Sequence, residues 1–298
     1  MKFGKMEDIS GVDFRLEGID ERSLGVLCSR GGDSFQLYVG CPVWGNKAWV
    51  GKLYPEGVKQ KQFLWHYSRL FNTIELNTTH YRVPTEGMVE GWRSQSGEAF
   101  RFCPKLPQEF SHWRRLSGVD DRIRLFADRI SLFEDRLGCS FVQLPPNFTV
   151  NELDKIRHFA EVWPSYLPIA FEFRHESWFK DRMLIGQIRD LLEYYEMATV
   201  ISDVAGRRDV SHGSLTNSIG MIRFVGNGLV ESDFERLDAW VDEIGLWVEA
   251  GLEELYFFVH EPDDTYAPEI GVYLLERMNA CLGLNMKVPI LERQKRLF

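Results

Sequence analysis

Two glutamates stand at matching places in short segments that alternate apolar and polar residues: Ile74-Glu75-Leu76-Asn77 and Ile169-Ala170-Phe171-Glu172-Phe173-Arg174. A period of two marks a strand, so Glu75 and Asn77 share one face, as do Glu172 and Arg174. Carboxylates brought to one opening can divide acid and base roles, because like charge at close range raises the pKa of one of them. The same parity puts Lys105, Gln143 and Arg223 on that face, with Asp203 and His260 at the rim. The reading is therefore a catalytic set of Glu75, Glu172, Lys105 and Asp203. Asn77, Gln143, Arg174 and Arg223 bind substrate, the cations holding an anionic group. Trp44, Tyr81 and Trp178 offer rings that stack on a sugar or base, or pack beneath loops.

No cofactor is predicted. A divalent ion is the second reading: Glu75, Glu172, Asp203 and His260 offer mostly oxygen ligands, which suit Mg or Mn better than Zn, yet no HxH or HExxH spacing accompanies them. Gly226-Asn227-Gly228 lies where barrels often bind phosphate, although a turn is the plainer explanation.

For these side chains to meet, the strands that carry them must be parallel and end on one rim. The chain supplies that rhythm. Segments starting near Leu37, Thr73, Phe100, Ser140, Ile169, Ala198, Ile219 and Leu255 read as strands, and most are separated by stretches with helical periodicity such as Ile123, Phe126, Ile130 and Phe133. Asp181 to Tyr195 reads as one helix, and Ser232-Asp233-Phe234-Glu235 as a capping box. Only 16 positions separate Asp203 from Ile219, so the crossover from the sixth to the seventh strand lacks room for a full helix. Eight such units imply an α/β fold of the TIM type, a (β/α)8 parallel barrel. Residues 1–36 form an N-terminal extension, irregular in part or packed across one barrel end, and 37–298 a single barrel domain.

Five segments, in order, carry a resemblance: GCPVWGNKAWVGKLYP (Gly40 to Pro55), FNTIELNTTHYRVP (Phe71 to Pro84), FRFCPKLP (Phe100 to Pro107), FVQLPPNF (Phe141 to Phe148) and AFEFRHESWF (Ala170 to Phe179). Together they resemble the YecE-like family, domain of unknown function (DUF) 72, from about Val39 to Ala280. The resemblance implies a TIM-type barrel and supplies no reaction. The chain departs from the family's usual pattern at Gly40-Cys41-Pro42-Val43-Trp44, at Arg223-Phe224-Val225-Gly226, and at His260 and Glu261.

The net charge of −9 disfavours sequence-independent binding to nucleic acid. Five widely spaced cysteines with no CxxC pair indicate neither a disulfide framework nor a cysteine zinc site, and the three in candidate strands fit burial in a reducing cytoplasm. No run is long enough to span a membrane. The expectation is a cytoplasmic enzyme using paired carboxylates on a small polar, anionic or carbohydrate-like substrate. The alternatives are a metal-dependent isomerase, lyase or phosphoesterase, and a non-catalytic protein that binds a metabolite or a nucleic-acid end through Arg114, Arg115, Arg207 and Arg208.

Overall fold

A computed structural model describes residue 4, residues 6–32 and residues 34–292. The eight long strand segments form one parallel sheet: β1 (Gln36–Cys41), β2 (Thr73–Leu76), β3 (Arg101–Pro104), β4 (Ser140–Gln143), β5 (Ile169–Glu172), β8 (Ala198–Asp203), β9 (Ile219–Val225) and β10 (Glu254–His260). Its order is β3-β2-β1-β10-β9-β8-β5-β4. The two ends meet where Leu106 N donates to Phe141 O (2.9 Å) and Gly138 N to Phe102 O (2.8 Å), so the barrel is nearly closed.

Parity divides the strand residues. Those turned outward, such as Ile74, Phe171, Ile222 and Phe257, join the helix layer in one large core. Those turned inward make a separate core of Tyr38, Cys103, Cys139, Phe141, Ala170, Ala198, Val200, Met221, Tyr256 and Phe258. Tyr38 and Tyr256 stack across it with centroids 4.8 Å apart. This apolar plug fills the lower barrel and separates Arg101 and Glu254, at its amino end beside Tyr38 and Tyr256, from the polar inward residues above it at the carboxyl ends of the strands. Gly40 is the β1 residue at that level, and a Cβ there would lie 2.1 Å from Thr73 O, so β1 and β2 can approach only with glycine at this position.

Two local readings need correction. Asp181 to Tyr195 is not one helix: β6 (Phe179–Lys180) and β7 (Met183–Leu184) form an antiparallel hairpin before a helix over Gly186–Tyr194. Asp181 and Arg182 at its turn both have positive φ, the backbone a two-residue hairpin turn of the right twist requires. The helix expected to open at Ser232 begins at Glu231, and the Asp233 carboxylate reaches back to Val230 N (3.2 Å) while the Ser232 hydroxyl has no partner. The short crossover holds only a 3-10 segment, Ala205–Val210.

The N-terminal extension contains a helix, Glu21–Arg30, capped by Asp20, whose carboxylate accepts from Ser23 N (2.8 Å) and pairs with Arg189. Before it, Phe14 lies over Arg208 and Arg236, and Gly4 O accepts from Gly206 N (2.8 Å). The extension thus covers the crossover after β8.

Candidate functional site

Above the apolar plug, seven of the eight barrel strands each send one polar side chain inward: Glu75, Lys105, Gln143, Glu172, Ser202, Arg223 and His260. Gly40 is the eighth contribution. Arg223 sits at the centre. Its Nε and Nη2 donate to the two oxygens of Glu75, each at 2.9 Å, and its Nη1 donates to Glu172 Oε2 at 2.9 Å.

Each carboxylate oxygen is used twice. Glu75 Oε1 also accepts from Asn77 Nδ2 (2.9 Å), and His260 Nε2 lies 2.8 Å from its Oε2. Glu172 Oε1 accepts from Arg174 Nε (2.8 Å) and Ser202 Oγ (2.9 Å), and its Oε2 also accepts from Gln143 Nε2 (2.6 Å). An ionised carboxylate has about four acceptor sites, and here all are filled, leaving no place for a proton. Burial pushes the Glu75 carboxyl up, but the Arg223 and His260 charges outweigh it and hold it well below the usual range. For Glu172 burial is likewise outweighed, by Arg174, Arg223 and Lys105. The expectation that one glutamate is kept protonated as a general acid is therefore overturned: the cation between them cancels their repulsion.

Lys105 is different. Its Nζ donates to Gln143 Oε1 (3.0 Å), an uncharged acceptor, and its charge lies near the Phe141 ring. Burial, then the neighbouring Arg223 charge, press the amine down to about 7. The residue is buried, 6% exposed, and does not line the hollow that opens over the layer. His80 and His112, from the loops after β2 and β3, have rings 5.4 Å apart, and burial followed by the Lys105 charge lowers both to about 4.

A hollow of about 670 Å³ opens over this layer between the loops that follow β1, β2 and β10. Glu75 forms part of its wall, Trp44 and Tyr81 supply aromatic surface, and Asn46, Asn77, Asp263 and Asp264 supply polar groups. Tyr81 is 73% exposed. Glu172 lies outside the hollow, sealed by its four partners.

Two expected members of the site stand elsewhere. Asp203 faces outward from β8 into the helix layer, where its oxygens accept from Arg208, Arg236 and Trp240 Nε1 (2.8 Å). Trp178 is buried against Phe148 and Phe173, with its Nε1 donating to Phe148 O (2.8 Å), so it is a plug and not a stacking surface. The set Glu75, Glu172, Asp203 and His260 consequently does not converge, and no group of three acids, histidines or cysteines placed to hold a metal occurs among the described residues. Gly226-Asn227-Gly228 is a turn whose N–H groups serve internal carboxylates: Asn227 N donates to Asp233 (2.9 Å) and Gly228 N to Glu261 (2.9 Å). A Cβ on Gly226 would sit 2.0 Å from Glu261 Oε1. The four arginines considered for nucleic acid pair instead with acids: Arg114 with Glu109, Arg115 with Glu152, Arg207 with Asp209 and Arg208 with Asp203.

Sequence reasoning missed Ser202, because β8 is buried on both faces and the two cannot be told apart by alternation. It also missed Asp263 and Asp264, which sit in a loop with no periodicity.

Known proteins place the chain. Residues 38–291 match the family model described as protein of unknown function DUF72. The UPF0759 protein YecE of Escherichia coli K12 is 30% identical over 280 residues, an alignment covering 88% of this chain and all of the relative. The UPF0759 protein YunF of Bacillus subtilis 168 is 27% identical over 153 residues, about half of each chain (48% and 52%). A crystal structure of a DUF72 family protein from Enterococcus faecalis V583 superposes with a TM-score of 0.65 at 16% identity, covering 88% of this chain and all of that one. No helix among the described residues is long and apolar enough to cross a membrane. With a barrel of the TIM type, a charged layer at its carboxyl end and a family match over most of its length, the chain belongs to the DUF72 family.

Proposed function

We propose that this protein is an enzyme acting on a small, neutral, hydroxylated molecule held in the hollow, with Lys105, which lies in the polar layer beneath the hollow and not on its wall, as the group that takes and returns a proton. The observation that carries this is the contrast inside the layer. Both glutamates have every acceptor site filled, while the Lys105 amine has one uncharged partner and is pressed to about 7. A base is most useful when its pKa lies near the working pH. Glu75, Glu172 and Arg223 then act as the fixed frame that positions Lys105 through Gln143.

The lining favours a neutral substrate over an anionic one. Glu75, Asp263 and Asp264 border the hollow and no lysine or arginine does. Trp44 and Tyr81 present ring faces suited to the apolar face of a sugar-like molecule, and Asn46, Asn77 and the aspartates suit its hydroxyls.

The test is a thermal-shift screen of neutral polyols, sugars and sugar acids, followed by NMR of each hit for turnover. Neutral hydroxylated hits that weaken in Tyr81→Ala, and whose conversion stops in Lys105→Met with folding intact, would support the reading. Conversion that persists in Lys105→Met, or hits confined to anions, would refute it.

A further inference from the structure

Three carboxylates border the hollow, and two of them are already satisfied within the protein. Glu75 has both oxygens filled by Arg223, Asn77 and His260. Asp263 accepts from Thr265 N at 2.9 Å, closing a short turn. Asp264 is different, because no described residue donates a hydrogen bond to its carboxylate although its main chain is held on both sides. Its N–H donates to Glu261 O (3.1 Å), and its carbonyl accepts from Trp49 Nε1 (2.9 Å). The residue is half-buried in the wall of the hollow, so its charge is partly desolvated and still open to a ligand. Burial lifts its carboxyl above the usual range, and the nearby His260 charge opposes that rise. His260 and Glu75 act on it from the layer beneath, which places Asp264 over the floor of the hollow.

We infer that Asp264 selects the substrate by accepting two hydroxyls on adjacent carbons, one at each carboxylate oxygen, while Tyr81 covers the apolar face of the same ring. This rests on the reading of the hollow given above and narrows it to molecules with a vicinal diol. An ionised carboxylate only accepts, and its two oxygens stand side by side, so hydroxyls on neighbouring ring carbons can each meet one of them. Hydrogen bonds to a charged acceptor are the strong ones. A partly desolvated carboxylate left without donors is costly, so a ligand bringing two donors gains over a ligand bringing one. An ammonium group would also meet the charge. The layer beneath opposes it, since Arg223 and Arg174 already match the two glutamates and Lys105 is present in addition. Asp264 is thus a specificity-determining residue and takes no part in proton transfer.

The experiment titrates the full chain with three cyclohexane-based probes and reads the amide resonances of the protein by NMR. Inositol has a hydroxyl beside every hydroxyl, phloroglucitol has hydroxyls only on alternate carbons, and inosamine replaces one hydroxyl of inositol with an ammonium group. Inositol should bind about tenfold more tightly than phloroglucitol, because it makes one more hydrogen bond to a charged acceptor. Asp264→Asn should erase that preference by weakening inositol alone, whereas Tyr81→Ala should weaken both. Residue 264 has a positive φ of 58°, a backbone that asparagine tolerates, so this variant keeps the fold. Equal binding of the two polyols to wild type, or a preference that survives in Asp264→Asn, overturns the pairing and leaves the neutral-ligand reading standing. Tighter binding of inosamine than of inositol assigns the carboxylate to a cation and also overturns the pairing. Binding of none of the probes overturns the pairing and the reading of the hollow together.

Discussion

Two buried ion networks lie close together in this molecule, one inside the barrel and one just outside it. The inner one joins Glu75, Arg223 and Glu172, with Arg174, Lys105 and His260 around them. The outer one joins Asp203 to Arg236 and Arg208, with Asp233 and Trp240 beside it. Both are dense, and Glu75 and Glu172 in the one and Asp203 in the other are held below the usual carboxylate range. In the outer network each charge has an opposite partner, and Phe14 of the N-terminal extension covers it. The inner network has one amine left over and a hollow above it. Burial of charge therefore does not mark a site, since a structural network has it too. What sets the inner network apart is an unmatched amine in the layer beneath an opening.

The largest expected effects test whether both networks are structural supports. Arg223→Met strands two buried carboxylates, and Asp203→Ala strands two buried guanidiniums. Each should cost about 3 to 5 kcal/mol in chemical denaturation. The comparison breaks if Asp203→Ala also moves the titration of Lys105 away from about 7 while the protein remains folded, because the outer network should not touch the inner one.

Much of this contrast is legible in the sequence, and the reason it is not wholly so is physical. Alternation in Ile74-Glu75-Leu76-Asn77 and in Phe171-Glu172-Phe173-Arg174 reveals the inward face directly. Ala198-Thr199-Val200-Ile201-Ser202-Asp203 is buried on both sides, so its parity is silent, and the acid stands out while the inward residue is Ser202. The order of charges across the barrel is also hidden, because Arg223 comes to lie between Glu75 and Glu172 only when strands distant in the chain close the barrel. That interposed cation reverses the pKa argument drawn from the two acids alone.

Lys105→Met comes next in size. An amine whose folded pKa is lowered to about 7 makes the native state least stable below that pH, and stability recovers as pH rises toward the unfolded value near 10.5. The variant should gain roughly 2 to 4 kcal/mol over wild type at pH 6, with the gain shrinking toward pH 10. Equal stability of the two proteins at pH 6 would show that Lys105 is not held in the unfavourable state described. The smallest effect concerns Glu261, whose carboxyl is pushed up to about 7 by burial and then by Asp233, and whose Oε1 has no partner. Its favourable contribution is present below about 4.5 and lost as pH rises through 7. Glu261→Gln should therefore melt higher than wild type at pH 8, by about 1 kcal/mol, with no advantage at pH 5. A gain of the same size at both pH values would mean that the carboxyl does not titrate in that window.

The most direct test is a titration of the lysine Cε carbons by 13C NMR on protein carrying labelled lysine. One resonance should titrate with a midpoint near 7 and disappear in Lys105→Met. If every lysine titrates above about 10, or the low midpoint survives in Lys105→Met, the inner network holds no free amine and the distinction between the two networks fails.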